Sequence, residues 1–354
     1  MSNFKNMVYL ILQNPGHNRV YYASADKLAL AELKLAAAKL TTKTVAIKIL
    51  EIENIRYLSL ETKDDLAKND INLLSKLSFV FAIFSLDKTN DQICLRPIRK
   101  IGYEYLDNKI SSLLKYQGKT NELFTKMMIN VGVLASDFNY DTKIKMLDPV
   151  AGKGTTLFEG AVYGFDVFGI EIEAKSAQET SLFFKKYLET ERIKHNATKR
   201  QVYGTSKKDA VVIQEFDYAN NKQDFKSPEL VKKLGIVCGN TKDANKYFKK
   251  ESFHLIIGDL PYGIVHGNST DKRKTTITRN PSELLSDSLP EWFKVLKKGG
   301  IAIVAWNSFL ASRQKLSGIF ASHGFEVLSD APFDAFEHMV DKSIKRDIVV
   351  AKKT

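Results

Sequence analysis

The stretch MLDPVAGKGTT at residues 146–156 joins a short apolar strand to a helix through a turn that contains two glycines. Glycines at such a turn let the backbone approach a ligand, and their N–H groups can hold a polar group at the helix N-terminus. Spacing excludes a Walker phosphate loop, which needs a glycine where Leu147 stands and Ser or Thr where Gly154 stands. It also disfavours the dinucleotide fingerprint, which needs a third glycine at Leu157. The turn therefore predicts a ligand site of another kind.

Strand-like runs alternate with helical segments on both sides of this turn. They lie at residues 143–147, 167–172, 235–238, 254–257 and 300–305. Such alternation predicts a parallel sheet that is covered by helices on both faces. Two further strand-like runs near the C-terminus, at 325–328 and 347–351, lack a full crossover helix between them. We therefore expect them to pair antiparallel, as a hairpin that closes the sheet.

The 354 residues leave room for about two domains of roughly 150 residues each. Before residue 115 the pattern is that of a small α+β domain, with a helix at 24–40 for which Ser24 or Asp26 is the N-cap candidate. Its strand candidates lie at 7–14, 44–50, 56–60, 79–86 and 92–98. We therefore predict an accessory domain over 1–115, with RNA binding as its expected role, and a larger α/β domain over 116–354.

The segment 192–233 is longer than the connection between two sheet strands requires. It holds ten Lys and Arg against five Asp and Glu. We interpret it as an insertion, and a solvated surface excursion is favoured over a dedicated grip on nucleic acid.

Charge and composition restrict the classes of protein. The net charge of +12 suits contact with phosphate backbones, but it equally suits a basic soluble protein. The longest strongly apolar run, residues 77–86, is too short to cross a bilayer as a helix, so no membrane span is expected. Two cysteines are too few for a disulfide framework or a zinc cluster, which suits a reducing cytoplasm.

Acidic residues follow the second strand of the α/β domain, in VFGIEIE at residues 167–173. A carboxylate at this position can accept hydrogen bonds from both hydroxyls of a ribose. Either acid could instead be the N-cap of the next helix. We favour Glu171 for the ribose, because it comes directly after the strand, and Glu173 is left for the cap.

The stretch HLIIGDLPYG at residues 254–263 is the third element of the predicted site. An apolar strand delivers Asp259, a proline turn and Tyr262 to the carboxyl edge of the sheet, where open α/β folds bind ligands. Asp259 and a neighbouring backbone carbonyl could accept both hydrogens of a planar amino group, while Tyr262 stacks on the ring that bears it. His254 and His266 flank the site, and a lone histidine is more often structural, so we assign neither as a base.

Together these motifs resemble those of the S-adenosylmethionine-dependent amino-methyltransferases, whose fourth motif reads Asp/Asn-Pro-Pro-Tyr/Phe. The resemblance covers about residues 117–352 and implies a Rossmann-like fold with a mostly parallel seven-stranded sheet and an antiparallel terminal hairpin. Leu260 departs from the double proline, and a leucine there resembles the methylases that modify guanine N2 in tRNA. Several of those carry an N-terminal THUMP-containing RNA-binding region. The site residues implied are Asp259, Leu260, Pro261 and Tyr262 for catalysis, and Lys119, Thr120, Asp148, Gly152, Gly154, Thr155 and Glu171 for the cofactor, S-adenosyl-L-methionine.

The end of the third strand matches that family less well. Such enzymes usually have Gly-Asp-Ala there, with the acid holding the adenine amino group. In this chain Cys238 and Gly239 are followed by Asn240, and Asp243 comes three residues later. Asn240 and Asp243 are therefore both candidates for the adenine contact, and a solvent-exposed turn is the alternative for each.

The resemblance implies methyl transfer to an exocyclic amino nitrogen, foremost guanine N2 in tRNA or another structured RNA, without a metal ion. The basic loop 266–281 is expected to contact phosphates beside the target base. Three alternatives stay open. A DNA adenine-N6 or cytosine-N4 methylase shares every motif, a protein glutamine methylase would favour Asn in place of Asp259, and an inactive methylase fold could still bind RNA. The sequence does not determine the oligomeric state.

Overall fold

A computed structural model of the chain describes residues 6–15, 19–89, 92–114, 116, 119–202, 211–261 and 280–354. The strands within these ranges are β1 (Met7–Gln13), β2 (Thr44–Ile52), β3 (Ile55–Thr62), β4 (Val80–Thr89), β5 (Gln92–Ile98), β6 (Lys145–Asp148), β7 (Asp166–Glu171), β8 (Lys194–Val202), β9 (Val211–Ala219), β10 (Lys232–Cys238), β11 (Phe253–Asp259), β12 (Leu296–Asn307), β13 (Phe325–Leu328), β14 (His338–Met339) and β15 (Lys345–Lys353). The α-helices are α1 (Arg19–Ala37), α2 (Lys68–Lys76), α3 (Lys109–Leu113), α4 (Glu122–Ala135), α5 (Thr155–Val162), α6 (Ala174–Thr190), α7 (Ala244–Tyr247), α8 (Pro281–Val295) and α9 (Arg313–Ser322).

The chain divides into two compact units. The first comprises Met1–Tyr103 and Ser329–Lys345, and the second comprises Glu104–Leu328 and Arg346–Thr354. The first unit contains a five-stranded sheet in the order β2-β3-β1-β4-β5, in which every neighbouring pair is antiparallel. Its five strands and the α+β character predicted from the sequence are confirmed.

The start of α1 differs from the prediction. The helix begins at Arg19, so the predicted cap residues, Ser24 and Asp26, lie within it and neither is the N-cap. The Asp26 carboxylate instead accepts a hydrogen bond from Gln13 Nε2 of β1 at 2.5 Å and lies 3.3 Å from Arg56 of β3. The Asp26 side chain therefore connects the helix to the sheet. The capping pattern in the sequence does not indicate this contact.

The second unit contains the larger sheet, whose strands follow the order β13-β15-β12-β11-β6-β7-β10-β9-β8. The five strands from β12 to β10 in this order are parallel, and β15 runs antiparallel to both β12 and β13. This is the predicted mostly parallel seven-stranded sheet with its antiparallel terminal hairpin, and the prediction is confirmed.

The insertion at 192–233 adds to the sheet instead of leaving it. Strands β9 and β8 continue the sheet antiparallel beyond β10. Phe216 and Tyr218 of β9 are buried and pack edge-on against Phe184 of α6. β8 is largely exposed, and its sequence lacks the alternation of apolar and polar residues that indicates a strand. The sequence therefore predicted a surface excursion here.

Strand β6 lies between β7 and β11, so the chain order reverses at this strand. In open α/β sheets, ligands bind in the crevice outside the carboxyl ends of the strands at such a reversal. The carboxyl end of β6 is Asp148, which immediately precedes the glycine turn. Among the residues that the structure describes, no helix is long and apolar enough to cross a membrane.

Candidate active site

Three neighbouring strands end in a carboxylate at the same edge of the sheet. Asp148 ends β6, Glu171 ends β7 and Asp259 ends β11. The charges of Asp259 and Glu171 are close enough to raise the pKa of Asp148, although burial is the larger cause, and together they bring it to about 7. Burial also raises the pKa of Glu171 above its usual value. The structure therefore brings the three predicted acids together in one negatively charged edge.

The glycine turn is held against β7 by main-chain and side-chain hydrogen bonds. Ala151 N donates to Ile170 O at 2.9 Å, and Gly152 N donates to the Glu171 carboxylate at 2.8 Å. Gly154, with φ of 87°, is the N-cap of α5 and adopts the left-handed conformation that favours glycine. A side chain there would also collide with Thr180, because a Cβ would lie 2.7 Å from its methyl carbon.

Glu171 and Glu173 take different positions. The second oxygen of the Glu171 carboxylate accepts a hydrogen bond from Glu173 N at 2.7 Å. Glu173 is the N-cap residue of α6, but its carboxylate accepts from the Ser176 hydroxyl at 2.6 Å and makes no side-chain bond to a helical N–H. Each Glu171 oxygen thus uses one main-chain donor, and a carboxylate oxygen can accept a second.

The Asp259 turn lies directly beside the glycine turn. A Cβ on Gly258 would approach Pro149 and Val150 to 3.1 Å each, so a larger residue would force these neighbours to shift by a few tenths of an ångström. Leu260 is buried, and its N–H donates to Ala305 O of β12 at 2.8 Å. Pro261 is half-buried. The predicted Tyr262 and the basic positions of the 266–281 loop lie outside the described residues.

Two polar contacts reach the same oxygen of Asp259. Thr120 Oγ1 donates to Oδ2 at 2.5 Å, and Arg346 Nη2 lies 3.7 Å from Oδ2. Thr120 was predicted for the cofactor, and in the structure its hydroxyl contacts Asp259. Sequence reasoning missed Arg346, which begins the ladder of β15 opposite Asn307 of β12. A basic residue at the start of the last strand was its only signal.

A second residue that sequence reasoning missed is Tyr116. Its hydroxyl lies 2.8 Å from Thr155 Oγ1 at the start of α5, and the Lys153 ammonium lies 5.3 Å from the centre of its ring. Burial raises the pKa of Tyr116, and the charges of Asp148 and Asp259 add to the effect. The segment before α4 therefore brings Tyr116 as well as Thr120 to the carboxylate edge.

The remaining predicted residues make local contacts. Lys119 Nζ lies 2.5 Å from the Glu122 carboxylate. The Asn240 side chain caps the short turn Thr241–Asp243 by accepting from Lys242 N at 3.0 Å, and the Asp243 carboxylate is paired with Lys246 at 2.7 Å. Gly239, which precedes Asn240, donates its N–H to Glu171 O at 2.9 Å, so the main chain just before Asn240 adjoins the end of β7.

His254 has a structural environment, in line with its sequence interpretation. Its Nδ1 accepts a hydrogen bond from Lys145 N at 2.8 Å, and the ring packs edge-on against Phe138. Burial, with help from the charge of Lys297, lowers the pKa of His254 to about 4. The imidazole is therefore neutral at physiological pH. His266 lies outside the described residues.

The donor set of this edge fits a cationic nucleoside ligand. A Cβ on Gly152 would meet no atom within 4 Å, so there is open space in front of the turn. The Glu171 oxygens are acceptors of the kind that ribose hydroxyls need, and ionised carboxylates at this edge favour a cationic ligand.

A seven-stranded sheet of this order, with a glycine turn and acids at the ends of β6, β7 and β11, defines the class of S-adenosylmethionine-dependent methyltransferases. The model of one protein family, UPF0020, described as "RMKL-like, methyltransferase domain", matches residues 133–309, which is half of the chain. The chain belongs to this family, and its cofactor is S-adenosyl-L-methionine. A sequence comparison with curated proteins gives no match.

Several solved structures have a similar fold. An rRNA methylase from Streptococcus thermophilus is 11% identical, and the match covers 66% of this chain and 98% of that one with a TM-score of 0.36. A putative RNA methyltransferase from Pyrococcus horikoshii is 11% identical over 69% and 94% of the two chains, with a TM-score of 0.37. A putative methyltransferase from Streptococcus mutans, in complex with SAH, is 14% identical over 63% and 93%, with a TM-score of 0.36.

Proposed function

We propose that this methyltransferase modifies an exocyclic amino group of a nucleobase, foremost guanine N2 in tRNA or another structured RNA. The observation that carries the proposal is the place of Asp259. Its carboxylate adjoins the turn assigned to the methyl donor, since Gly258 packs on Pro149 and Val150, and Thr120 and Arg346 hold one of its oxygens.

An exocyclic amino nitrogen is a poor nucleophile because its lone pair is delocalised into the ring. Asp259 and the Leu260 carbonyl are the two acceptors proposed for its hydrogens. Accepting both would favour a pyramidal nitrogen, with the lone pair directed away from the acceptors. Because positioning of this kind can supply much of the reduction of the barrier, no general base has to be invoked at the start of the reaction.

The bound cofactor would supply an activated methyl group on sulfur. The amine nitrogen forms the new N–C bond with its lone pair, and the electrons of the broken S–C bond remain on sulfur. The nitrogen then loses one proton to solvent. On this account Glu171 holds the ribose, the glycine turn and Thr155 hold the methionine end, and Asn240 or Asp243 holds the adenine.

An exposed aromatic residue at the same edge of the sheet could contact the substrate. Phe309 is 59% exposed and lies two residues beyond Asn307, the partner of Arg346 in the ladder. The turn that carries it is fixed, because Phe309 N donates to Asn307 Oδ1 at 3.3 Å. An exposed aromatic ring of this kind can stack on an unpaired base. The target nucleotide must leave its own stack, at a cost of a few kcal/mol.

RNA binding by residues 1–115 and phosphate contacts from the loop 266–281 belong to the same proposal. The net charge of +12 supports them, since Lys and Arg bind phosphate backbones by releasing counterions. Tyr262 is the second proposed stacking residue.

Incubation with radiolabelled methyl donor and separate pools of unmodified tRNA, ribosomal RNA and DNA tests the proposal, with nucleoside analysis of the labelled pool. We expect label in N2-methylguanosine from tRNA. Label in methyladenine or methylcytosine of DNA would establish the DNA alternative instead. In the same assay Asp259→Ala should abolish transfer while the donor affinity stays near that of the wild type. Near-wild-type turnover by this variant would refute the amine-positioning role.

A further inference from the structure

We infer that Arg346 is a positioning residue for methyl transfer, which fixes the direction of the Asp259 carboxylate and binds neither the donor nor the RNA. The inference rests on the proposed function, because it gives Asp259 the amine-binding role. Arg346 lies on β15, outside the sequence motifs that predicted the site.

Arg346 is a buried cation that contacts both Asp259 and Phe124. Its side chain is only 5% exposed, and its guanidinium lies 3.7 Å from Asp259 Oδ2. The guanidinium carbon also lies 4.8 Å from the centre of the Phe124 ring of α4. A buried charge is costly unless it is paired, and a ring face is a favourable neighbour for guanidinium. The position of Arg346 is therefore set by the carboxylate on one side and by α4 on the other.

Arg346 and Thr120 restrain the same atom. Thr120 Oγ1 lies 2.5 Å from Asp259 Oδ2, and it comes from the segment just before α4, whereas Arg346 comes from β15. Two contacts from separate elements on one oxygen restrict rotation of the carboxylate about its bond to Cβ. The direction in which Asp259 presents itself to an amino group is therefore defined before the substrate arrives.

Other roles for Arg346 fit its environment less well. A phosphate contact needs a guanidinium that reaches solvent, and this one is buried between Phe124 and Asp259. A purely structural ion pair occurs one residue later on the same strand. There Arg313 Nε donates to the buried Asp347 carboxylate at 2.8 Å. Arg313 of α9 thus pairs with Asp347, the neighbour of Arg346 on β15, whereas Arg346 pairs with Asp259. Arg313 is therefore a matched control for Arg346.

The test compares Arg346→Met and Arg346→Lys with Arg313→Met in the full chain. Single-turnover methyl transfer to unmodified tRNA, kcat and KM for tRNA, donor affinity by calorimetry and the thermal midpoint are measured for each. We expect Arg346→Met to lower kcat by about a hundredfold while KM and donor affinity stay within about twofold, as for a misplaced catalytic group. Arg346→Lys should recover part of kcat, since it keeps the charge but loses the planar geometry. Arg313→Met should lower the thermal midpoint and leave kcat unchanged.

Three results would overturn the inference. Weaker donor binding by Arg346→Met would make Arg346 a cofactor contact, and a raised KM with normal kcat would make it an RNA contact. Loss of stability with normal kcat in the folded fraction would make it structural. If Arg346→Met does not fold, Thr120→Val tests the same oxygen. Thr120→Val should lower kcat, and Thr120→Ser, which keeps the hydroxyl, should recover part of it; equal rates for the two would refute the restraint on Asp259 Oδ2.

The wild-type rate in this assay reports on the proposed function itself. If the wild type transfers no methyl group to tRNA, that function fails. If the wild type is active and the variants keep its rate, only the role of Arg346 fails.

Discussion

Asp148 should make both stability and donor binding depend on pH. The side chain is 2% exposed, and burial, followed by the charges of Asp259 and Glu171, raises its pKa from 3.8 to about 7. A carboxyl whose pKa is raised by folding contributes its full stability below the unfolded pKa and loses it as the pH rises through the folded pKa. The window is therefore pH 4 to 7, and ionising this one group costs up to about 4 kcal/mol.

Asp148→Asn removes the ionisation and keeps the acceptor for Val150 N, which donates to Oδ1 at 3.0 Å. Its free energy of unfolding should equal that of the wild type near pH 4 and exceed it by a few kcal/mol at pH 8. Urea unfolding at the two pH values measures the difference.

Donor affinity should change with pH in the opposite direction to stability and rise as the pH rises, because a cationic ligand prefers the ionised acid. The ionised fraction of a group with a pKa of about 7 rises roughly tenfold between pH 6 and 8, so donor affinity in the wild type should rise by up to that factor and in Asp148→Asn should stay flat.

Glu159 provides a matched control on α5. It is 4% exposed, and burial raises its pKa to about 7, although the charge of Lys126 opposes the shift. Glu159→Gln should therefore also stabilise the chain at pH 8, by less than Asp148→Asn because the pKa of Glu159 rises from 4.5 and that of Asp148 from 3.8, both to about 7. It should leave the pH dependence of donor affinity unchanged. If both variants change donor binding alike, or if Asp148→Asn retains the pH dependence, Asp148 does not face the donor and the reasoning is refuted.

Further predictions concern single side chains. Glu171→Ala should weaken donor binding by about tenfold or more in calorimetry, as expected for lost hydrogen bonds to a charged group, and should leave kcat at saturating donor nearly intact; a loss confined to kcat would contradict the ribose role. Leu260→Pro should lower the free energy of unfolding by about 3 kcal/mol or more, because it deletes the donor to Ala305 O and a buried side chain, and an unchanged thermal midpoint would contradict this. Phe309→Ala should raise KM for RNA by roughly tenfold, from a stacking energy of about 1–3 kcal/mol, without affecting donor affinity; an unchanged KM would exclude the base contact.

The seven predicted strands of the larger sheet were predictable because each is an apolar run bounded by turn residues. The run 254–257, for example, lies inside β11, and the acid that follows it ends the strand. Since parallel strands present their carboxyl ends at one edge, Asp148, Glu171 and Asp259 could be grouped from the sequence. Local pattern was sufficient for these residues because each belongs to the end of its own strand.

The contacts that orient Asp259 were not predictable in this way. Thr120 and Asp259 are 139 residues apart, and Arg346 reaches the turn only because β15 pairs with β12 in a register that sets Arg346 opposite Asn307. Hydrophobic pattern predicts that a strand exists, but a one-residue shift in register would turn Arg346 to the other face. β8 was missed for a related reason, since an exposed edge strand has little apolar pattern to detect.

Leu260 shows why the departure from the double proline is compatible with a site at Asp259. A proline at this position has no N–H, whereas Leu260 N donates to Ala305 O and its side chain is buried, so the pairing of β11 with β12 extends one residue beyond Asp259. On the other side of Asp259, Gly258 packs against Pro149 of the glycine turn. The backbone that carries the carboxylate is thereby fixed on both sides, and Thr120 and Arg346 fix the side chain. A leucine in place of the first proline thus lacks the rigid proline ring, but its N–H adds a hydrogen bond within the sheet that restrains the same backbone.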